Sequence, residues 1–221
     1  MAGPALQLAG EDELLELNRA FETQPASKVV RWAVERFHPR LALLSSFTDA
    51  VLIDLAVRVE PSIEVVFIDT GHHFPETLET VDAVRRRYGL NLRMVTAQPY
   101  PNPLGADGCC SASKVVQLDR ALAGREAWMS GLRRADAATR AGAPIVDVDR
   151  RGLVKVNPLA TWTDDDVAGY IAEHDVPVNP LVSRGYLSVG CAPCTRPVAA
   201  GDDPRSGRWA GTDRTECGIH G

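Results

Sequence analysis

"LALLSSFTDAVLIDLAVRV" (41–59), followed closely by "IEVVFIDT" (63–70), decides the fold. "LALLSS" is a short apolar run that ends in small polar residues, as a buried strand does. The next segment carries its apolar residues at helical spacing, and "IEVVFIDT" is a second buried strand. Beyond it, "PETLETVDAVRRRYG" (75–89) reads as a helix that opens on Pro75 and closes on Gly89, and "LNLRMVT" (90–96) as a third strand. Strand and helix alternating in this way predict an α/β fold, an open and mostly parallel sheet with helices on both faces.

Toward the N-terminus, "EDELLELNRAF" (11–21) and "ASKVVRWAVERF" (26–37) have helical periodicity, so residues 1–40 are expected to form helices packed on a domain spanning 41–200. Toward the C-terminus, "AQPYPNPLGADG" (97–108) is a Pro/Gly-rich loop, "CCSASKVVQLDRAL" (109–122) a helix and "EAWMSGL" (126–132) a strand. "RRADAATRAGAP" (133–144) reads as a loop, and "IVDVDRRGLVKVNP" (145–158) as a hairpin turning near Arg151-Gly152. "TDDDVAGYIAEHDV" (163–176) is a helix capped by Thr163, with three aspartates in its first turn, where the helix dipole favours them. Regular structure fades after 177, and residues 201–221 form a tail.

Hydrophobic residues make up 45% of the 221 and charged residues 24%, an ordinary globular balance. No apolar run approaches the ~18 residues of a membrane span. The first residues lack a secretory signal's basic start and cleavage site, which points to the cytoplasm, where cysteines serve metals or catalysis more often than disulfides. A net charge of −5 with no basic tract argues against nucleic acid as a partner. It leaves room for a small anionic substrate held in a local basic cleft.

Four of the five cysteines fall in two close pairs, Cys109-Cys110 and Cys191-x-x-Cys194. Such pairs suit a metal centre, either a four-cysteine zinc site or an iron–sulfur cluster; a redox dithiol in "CAPC" and unrelated buried thiols are the other readings. Adjacent cysteines chelate one tetrahedral ion awkwardly, whereas the irons of a cluster are spread apart, so the vicinal pair leans toward a cluster. If four thiols are ligands, Cys217 remains alone among the last residues, "TECGIHG". A lone thiol has no partner in its own chain to resolve a covalent intermediate, so a reductive step there needs an external thiol.

The stretches "SSFTDAVL", "FIDTGHHFPETLE", "CCSASKV", "WMSGLRRADAATRA", "VNPLATWTDDDV", "GYLSVGCAPCTRP", "SGRWAG" and "ECGIH" together resemble the assimilatory adenylyl-sulfate (APS) and phosphoadenylyl-sulfate (PAPS) reductases from residue 41 onward. The paired cysteines resemble the subgroup that carries a [4Fe–4S] cluster and acts on APS. The resemblance implies that Cys109, Cys110, Cys191 and Cys194 hold the cluster. It also implies that Cys217 attacks the sulfur of APS to give S-sulfocysteine and AMP, and that thioredoxin then releases sulfite. The tail is accordingly expected to be a mobile catalytic segment that visits two partners in turn. Nothing in these motifs excludes a homo-oligomer.

Substrate contacts follow from position and resemblance. "SSFTD" (Ser45, Ser46, Phe47, Thr48, Asp49) stands where a strand meets a helix, the anion-binding corner of an open α/β sheet. It resembles a pyrophosphatase-type loop with Ser46 and Phe47 where glycines would stand. Asp69 and Gly71 end the next strand at the same edge and are expected in the adenosine pocket, while His72 and His73 read as loop surface. Arg133, Arg134, Arg205 and Arg208 are candidates for the phosphate and sulfate, since guanidinium matches both. Lys114 shares a helical face with Cys110 and could stand between a cluster and the sulfate, and His220 is a candidate docking contact. Three rivals remain: a PAPS reductase, an iron–sulfur tRNA-thiolating ATP pyrophosphatase, and a zinc-stabilised nucleotide-binding module without covalent chemistry.

Overall fold

The computed structural model describes residues 10–96, 113–199, 201–209 and 216. Helices α1 (Gly10–Phe21) and α2 (Ala26–Phe37) precede β1 (Leu41–Leu44), α3 (Val51–Val59), β2 (Glu64–Asp69), α4 (Pro75–Tyr88) and β3 (Asn91–Thr96). After them come α5 (Ser113–Leu122), β4 (Ala127–Ser130), β5 (Val146–Val148), β6 (Val154–Val156) and α6 (Asp164–His174). The strands form one sheet in the order β3-β2-β1-β4-β6-β5. All pairs are parallel except β5 with β6, which is the expected hairpin.

β1 is buried along its whole length because both faces of the sheet are covered. Leu41 and Leu43 join a large cluster with α2, α3 and α4, whereas Ala42 and Leu44 face the smaller cluster built on Leu118, Ala121 and Leu122 of α5. Leu14, Leu17 and Phe21 of α1, and Val167, Tyr170 and Ile171 of α6, pack against the larger cluster too. Helices therefore lie on both faces, but among the described residues α5 alone covers its side.

Helix ends follow their sequence signals. α4 starts with Pro75 and is closed by Gly89 in the left-handed conformation (φ 59°). α6 is opened by a capping box: Thr163 Oγ1 accepts the Asp166 N–H at 3.2 Å, and Asp166 Oδ2 accepts the Thr163 N–H at 2.8 Å. Two segments read as irregular have local order. The 133–144 loop contains 3₁₀ turns over Arg134–Asp136 and Ala138–Arg140, and 3₁₀ turns also occupy Val182–Arg184 and Ala192–Cys194. The chain runs β1 to β2 to β3 on one side, then crosses to place β4 on the other side of β1. That reversal opens a crevice at the carboxyl ends of β1 and β4, where open α/β sheets hold ligands.

Candidate active site

A cavity of about 450 Å³ occupies this crevice. Its wall includes Ser45, Ser46, Thr48 and Asp49 after β1, Arg133 after β4, and Lys114 of α5. The C-terminal segment adds Arg205 and Arg208. Such a volume is of the size that takes a nucleotide-sized ligand.

The β1 loop is held from within and from outside. Ser45 donates its N–H to the Val66 carbonyl at 3.1 Å, and its Oγ accepts the Phe47 N–H at 3.1 Å. Phe47 lies in the left-handed region (φ 55°), uncommon for a bulky side chain. Its ring is fully buried, edge-on to Phe67 at 5.4 Å, so the core fixes a backbone shape that glycine would adopt freely. The expectation that Phe47 contacts substrate is corrected: its side chain belongs to the core and its N–H is taken by Ser45. From outside, the segment after α6 braces the loop. Ala50 N–H donates to the Pro177 carbonyl at 3.0 Å and Asn179 N–H to the Thr48 carbonyl at 3.0 Å. The fully buried Asn179 side chain also bonds Thr77 Oγ1 at 3.1 Å. Asp49 Oδ1 accepts the N–H of Val51, the first residue of α3, at 3.0 Å.

At the end of β2 the expected residues are displaced by a neighbour. Asp69 Oδ1 accepts the Gly71 N–H at 2.8 Å in a local turn, and neither residue lies on the cavity wall. His73 does, contrary to the surface reading. Its Nε2 lies 3.0 Å from the Ile68 carbonyl and its ring packs on Phe67 at 4.8 Å. Nδ1 is buried with no hydrogen-bond partner among the described residues. Burial pushes the imidazole below its ordinary pKa; Cys191 and the Ile68 carbonyl oppose this, and Lys114 adds to it.

The two adjacent arginines after β4 part company. Arg133 reaches the cavity and pairs with Asp136 at 2.8 Å and Asp164 at 2.9 Å. Arg134 turns away, donating to the Ala143 carbonyl at 2.8 Å and to the carboxylate of Glu22, just past α1. Its assignment to substrate is corrected: it fastens the N-terminal helices to the domain. Arg140, which sequence reasoning passed over, takes the second place on the wall. The only signal for it was a third arginine in a twelve-residue loop.

Arg205 and Arg208 are presented by a zipped pair of segments. Arg196 N–H donates to the Gly207 carbonyl and Trp209 N–H to the Cys194 carbonyl, both at 2.9 Å. A Cβ on Gly207 would sit 2.2 Å from the Arg196 carbonyl oxygen, so the approach requires glycine. Arg208 stacks over the buried Trp209 ring at 4.5 Å, donates to Ser188 Oγ at 3.3 Å and lies flat against Gly190. Arg205 reaches the carboxylate of Glu216 at 2.9 Å.

Cys191 and Cys194 are both buried and are not linked by a disulfide. The Cys194 N–H donates to the Cys191 carbonyl at 3.0 Å in one 3₁₀ turn, a geometry that brings side chains at i and i+3 to the same side. Thr70 Oγ1 lies 3.1 Å from Cys191 Sγ. Two buried thiols on one side of a turn suit half of a four-cysteine centre. Cys109 and Cys110, as well as Cys217 and His220, lie outside the described residues. Among the described residues no three His, Cys, Asp or Glu side chains form a metal-holding group.

Fold and cavity together define an open α/β protein with a cation-lined crevice at its topological switch point. Residues 40–197 match the phosphoadenosine phosphosulfate reductase domain, and the chain belongs to that family. It is 46% identical over 215 residues to an adenosine 5'-phosphosulfate reductase of Streptomyces coelicolor, covering 92% of this chain and 91% of the relative. A protein of the same description from Mycobacterium tuberculosis is 52% identical over 188 residues, covering 80% of this chain and 74% of the relative. Among solved structures, the phosphoadenylyl-sulfate (PAPS) reductase of Candida auris, a phosphate complex, superposes with a TM-score of 0.72 at 28% identity, covering 85% of this chain and 98% of that one. The FMN adenylyltransferase of Candida glabrata shares the fold alone, with a TM-score of 0.62 at 15% identity, covering 87% of this chain and 70% of that one.

Proposed function

We propose that the protein reduces adenylyl sulfate to sulfite and AMP in sulfate assimilation, with a thioredoxin-type dithiol as electron donor. The observation that carries this reading is the cation-lined cavity at the switch point, in a chain whose relatives at 46–52% identity are adenosine 5'-phosphosulfate reductases. Ser45, Ser46, Thr48 and Asp49 form the strand-to-helix corner that receives the nucleotide, and Lys114 and Arg208 face its anionic groups.

Cys217 acts as the nucleophile. Its thiolate forms a bond to the sulfate sulfur, and the anhydride S–O bond breaks with its electron pair leaving on AMP. A thioredoxin thiolate then attacks Cys217 Sγ, expelling sulfite and leaving a mixed disulfide. The second thiol of the donor resolves that bond, so two electrons pass from dithiol to sulfur and Cys217 is regenerated. His220 docks the tail.

Cys109, Cys110, Cys191 and Cys194 would hold a [4Fe–4S] cluster, and the buried pairing of Cys191 and Cys194 fits such a donor set. Such a cluster would supply an electrostatic field and a covalent brace joining these four residues. Lys114 orients the sulfate, and the His73 ring closes the wall beside Cys191. No helix among the described residues is long and apolar enough to cross a membrane, and the reading places the enzyme in the cytoplasm.

Steady-state sulfite release with a thioredoxin system tests the proposal. Turnover on APS at least about a hundredfold more efficient than on PAPS is expected, because one phosphate's worth of misplaced charge costs a few kcal/mol. Preference for PAPS would replace the substrate, and no sulfite from either would remove the reductase reading.

A further inference from the structure

Glu216 immediately precedes Cys217 and is gripped by two arginines from separate parts of the fold. Arg140 donates from Nε to Oε1 and from Nη2 to Oε2, both at 2.8 Å. Arg205 adds a bond to Oε2 at 2.9 Å, and the Thr139 hydroxyl one to Oε1 at 3.3 Å. The two guanidinium side chains are only 10% and 11% exposed. Neither arginine is loose at its base. Arg140 sits on the 3₁₀ turn after β4 and is braced by Asp136 at 3.2 Å, while Arg205 belongs to the segment zipped against Cys194 and Arg196.

Both arginines also line the cavity. A forked, charge-assisted contact fixes direction as well as distance, which a single-point contact does not. Burial pushes the Glu216 carboxyl up, but the hydrogen bonds and charges of Arg140 and Arg205 outweigh it and hold the group below its ordinary range. Its negative charge is therefore met by cations. Consecutive Cα atoms are ~3.8 Å apart, so fixing residue 216 restrains where its neighbour can go.

We propose that Glu216 is a positioning residue, a latch whose carboxylate seats the C-terminal tail on Arg140 and Arg205 and so delivers the thiol of Cys217 to the cavity. The arginines thus divide their work: Arg140 and Arg205 receive the tail, whereas Arg208 with Lys114 receives the substrate's anion. The proposal rests on Cys217 being the nucleophile.

Glu216→Gln keeps the shape and removes the charge. At saturating adenylyl sulfate, the single-turnover rate of sulfonate formation on Cys217 is expected to fall about tenfold to a hundredfold, the loss that follows when a charged hydrogen-bonding partner is removed. Affinity for AMP should stay within about twofold, because the substrate's own contacts remain; a merely destabilised fold would lose both. Tryptic cleavage after Arg214 should quicken by a similar factor in Arg140→Gln, which loosens the same clamp without altering the sequence around the scissile bond. Combining Glu216→Gln with Arg140→Gln should cost no more than the worse single variant, as expected of partners acting through each other. An unchanged sulfonation rate, or AMP binding that rises because Glu216 had been competing for the arginines, overturns the latch. A wild-type chain that forms no adduct removes the nucleophile reading instead. Trypsin then still decides the clamp: faster cleavage in Arg140→Gln upholds it and unchanged cleavage overturns it.

Discussion

Gly190→Ala should cripple nucleotide binding while leaving the fold intact. A Cβ at residue 190 would stand 2.4 Å from Nη2, 2.5 Å from Cζ and 2.9 Å from Nη1 of Arg208. Ordinary contact begins near 3.4 Å, so the guanidinium must retreat by roughly 1 Å or more, out of its stack on Trp209. Nothing else need move, because the obstructed atoms are the tip of a flexible side chain. Gly190 itself has no left-handed backbone to strain. The lost stacking costs ~0.5–1 kcal/mol, and the stiffer unfolded chain returns a similar amount. Net stability should therefore stay within ~1 kcal/mol. A charged hydrogen bond to phosphate is worth ~1.5–3 kcal/mol, which converts to an AMP affinity lower by about tenfold to 150-fold. Titration calorimetry with AMP, run beside a thermal melt and beside Arg208→Ala, measures both quantities. Wild-type affinity in Gly190→Ala, with affinity lost in Arg208→Ala, would refute the reasoning, since the methyl group would then leave Arg208 in place.

Other perturbations separate fold from site. Asp54 is buried under Arg58 Nε at 2.6 Å and the Tyr170 hydroxyl at 2.7 Å, so Asp54→Ala should cost ~3 kcal/mol by denaturant unfolding. Burial pushes its carboxyl up, but these bonds hold it below the unfolded value of ~3.9. Its contribution is therefore full above that pH and vanishes as pH falls through the native value, and an unfolding series from pH 6 to 2 should show wild type and Asp54→Asn converging in acid. Phe47→Gly relieves ~1 kcal/mol of left-handed strain but gives up ~3–5 kcal/mol of ring burial, a net loss of ~2–4 kcal/mol readable in the same assay. Cys194→Ser should abolish bound iron and acid-labile sulfide in anaerobically purified protein, whereas Cys217→Ser should leave both at wild-type levels.

The alternation of apolar runs and helical periodicity from Leu41 to Thr96 made the parallel sheet legible, because buried strands and amphipathic helices leave different periods. Caps were equally plain: Pro75, Gly89 and Thr163 mark ends through their own backbone chemistry. The site was less legible where the answer depends on direction. Arg133 and Arg134 are adjacent, and nothing in their order tells which faces the cavity and which reaches Glu22. Arg140 and Asn179 lie in segments without period, held by 3₁₀ turns and by pairing to distant backbone. Asp69 and His73 show the same limit: the strand end was correctly placed, but the turn aims Asp69 at Gly71 and swings His73 inward. Phe47 carries a backbone shape that only its burial against Phe67 explains.

The most direct measurement is the intact mass of anaerobically purified protein incubated with APS and no reductant, with the adduct mapped by peptide. The account predicts one added sulfonate, confined to Cys217, that reduced thioredoxin removes as sulfite. An unmodified Cys217 in protein with intact iron and sulfide, or a sulfonate on another residue, would contradict it.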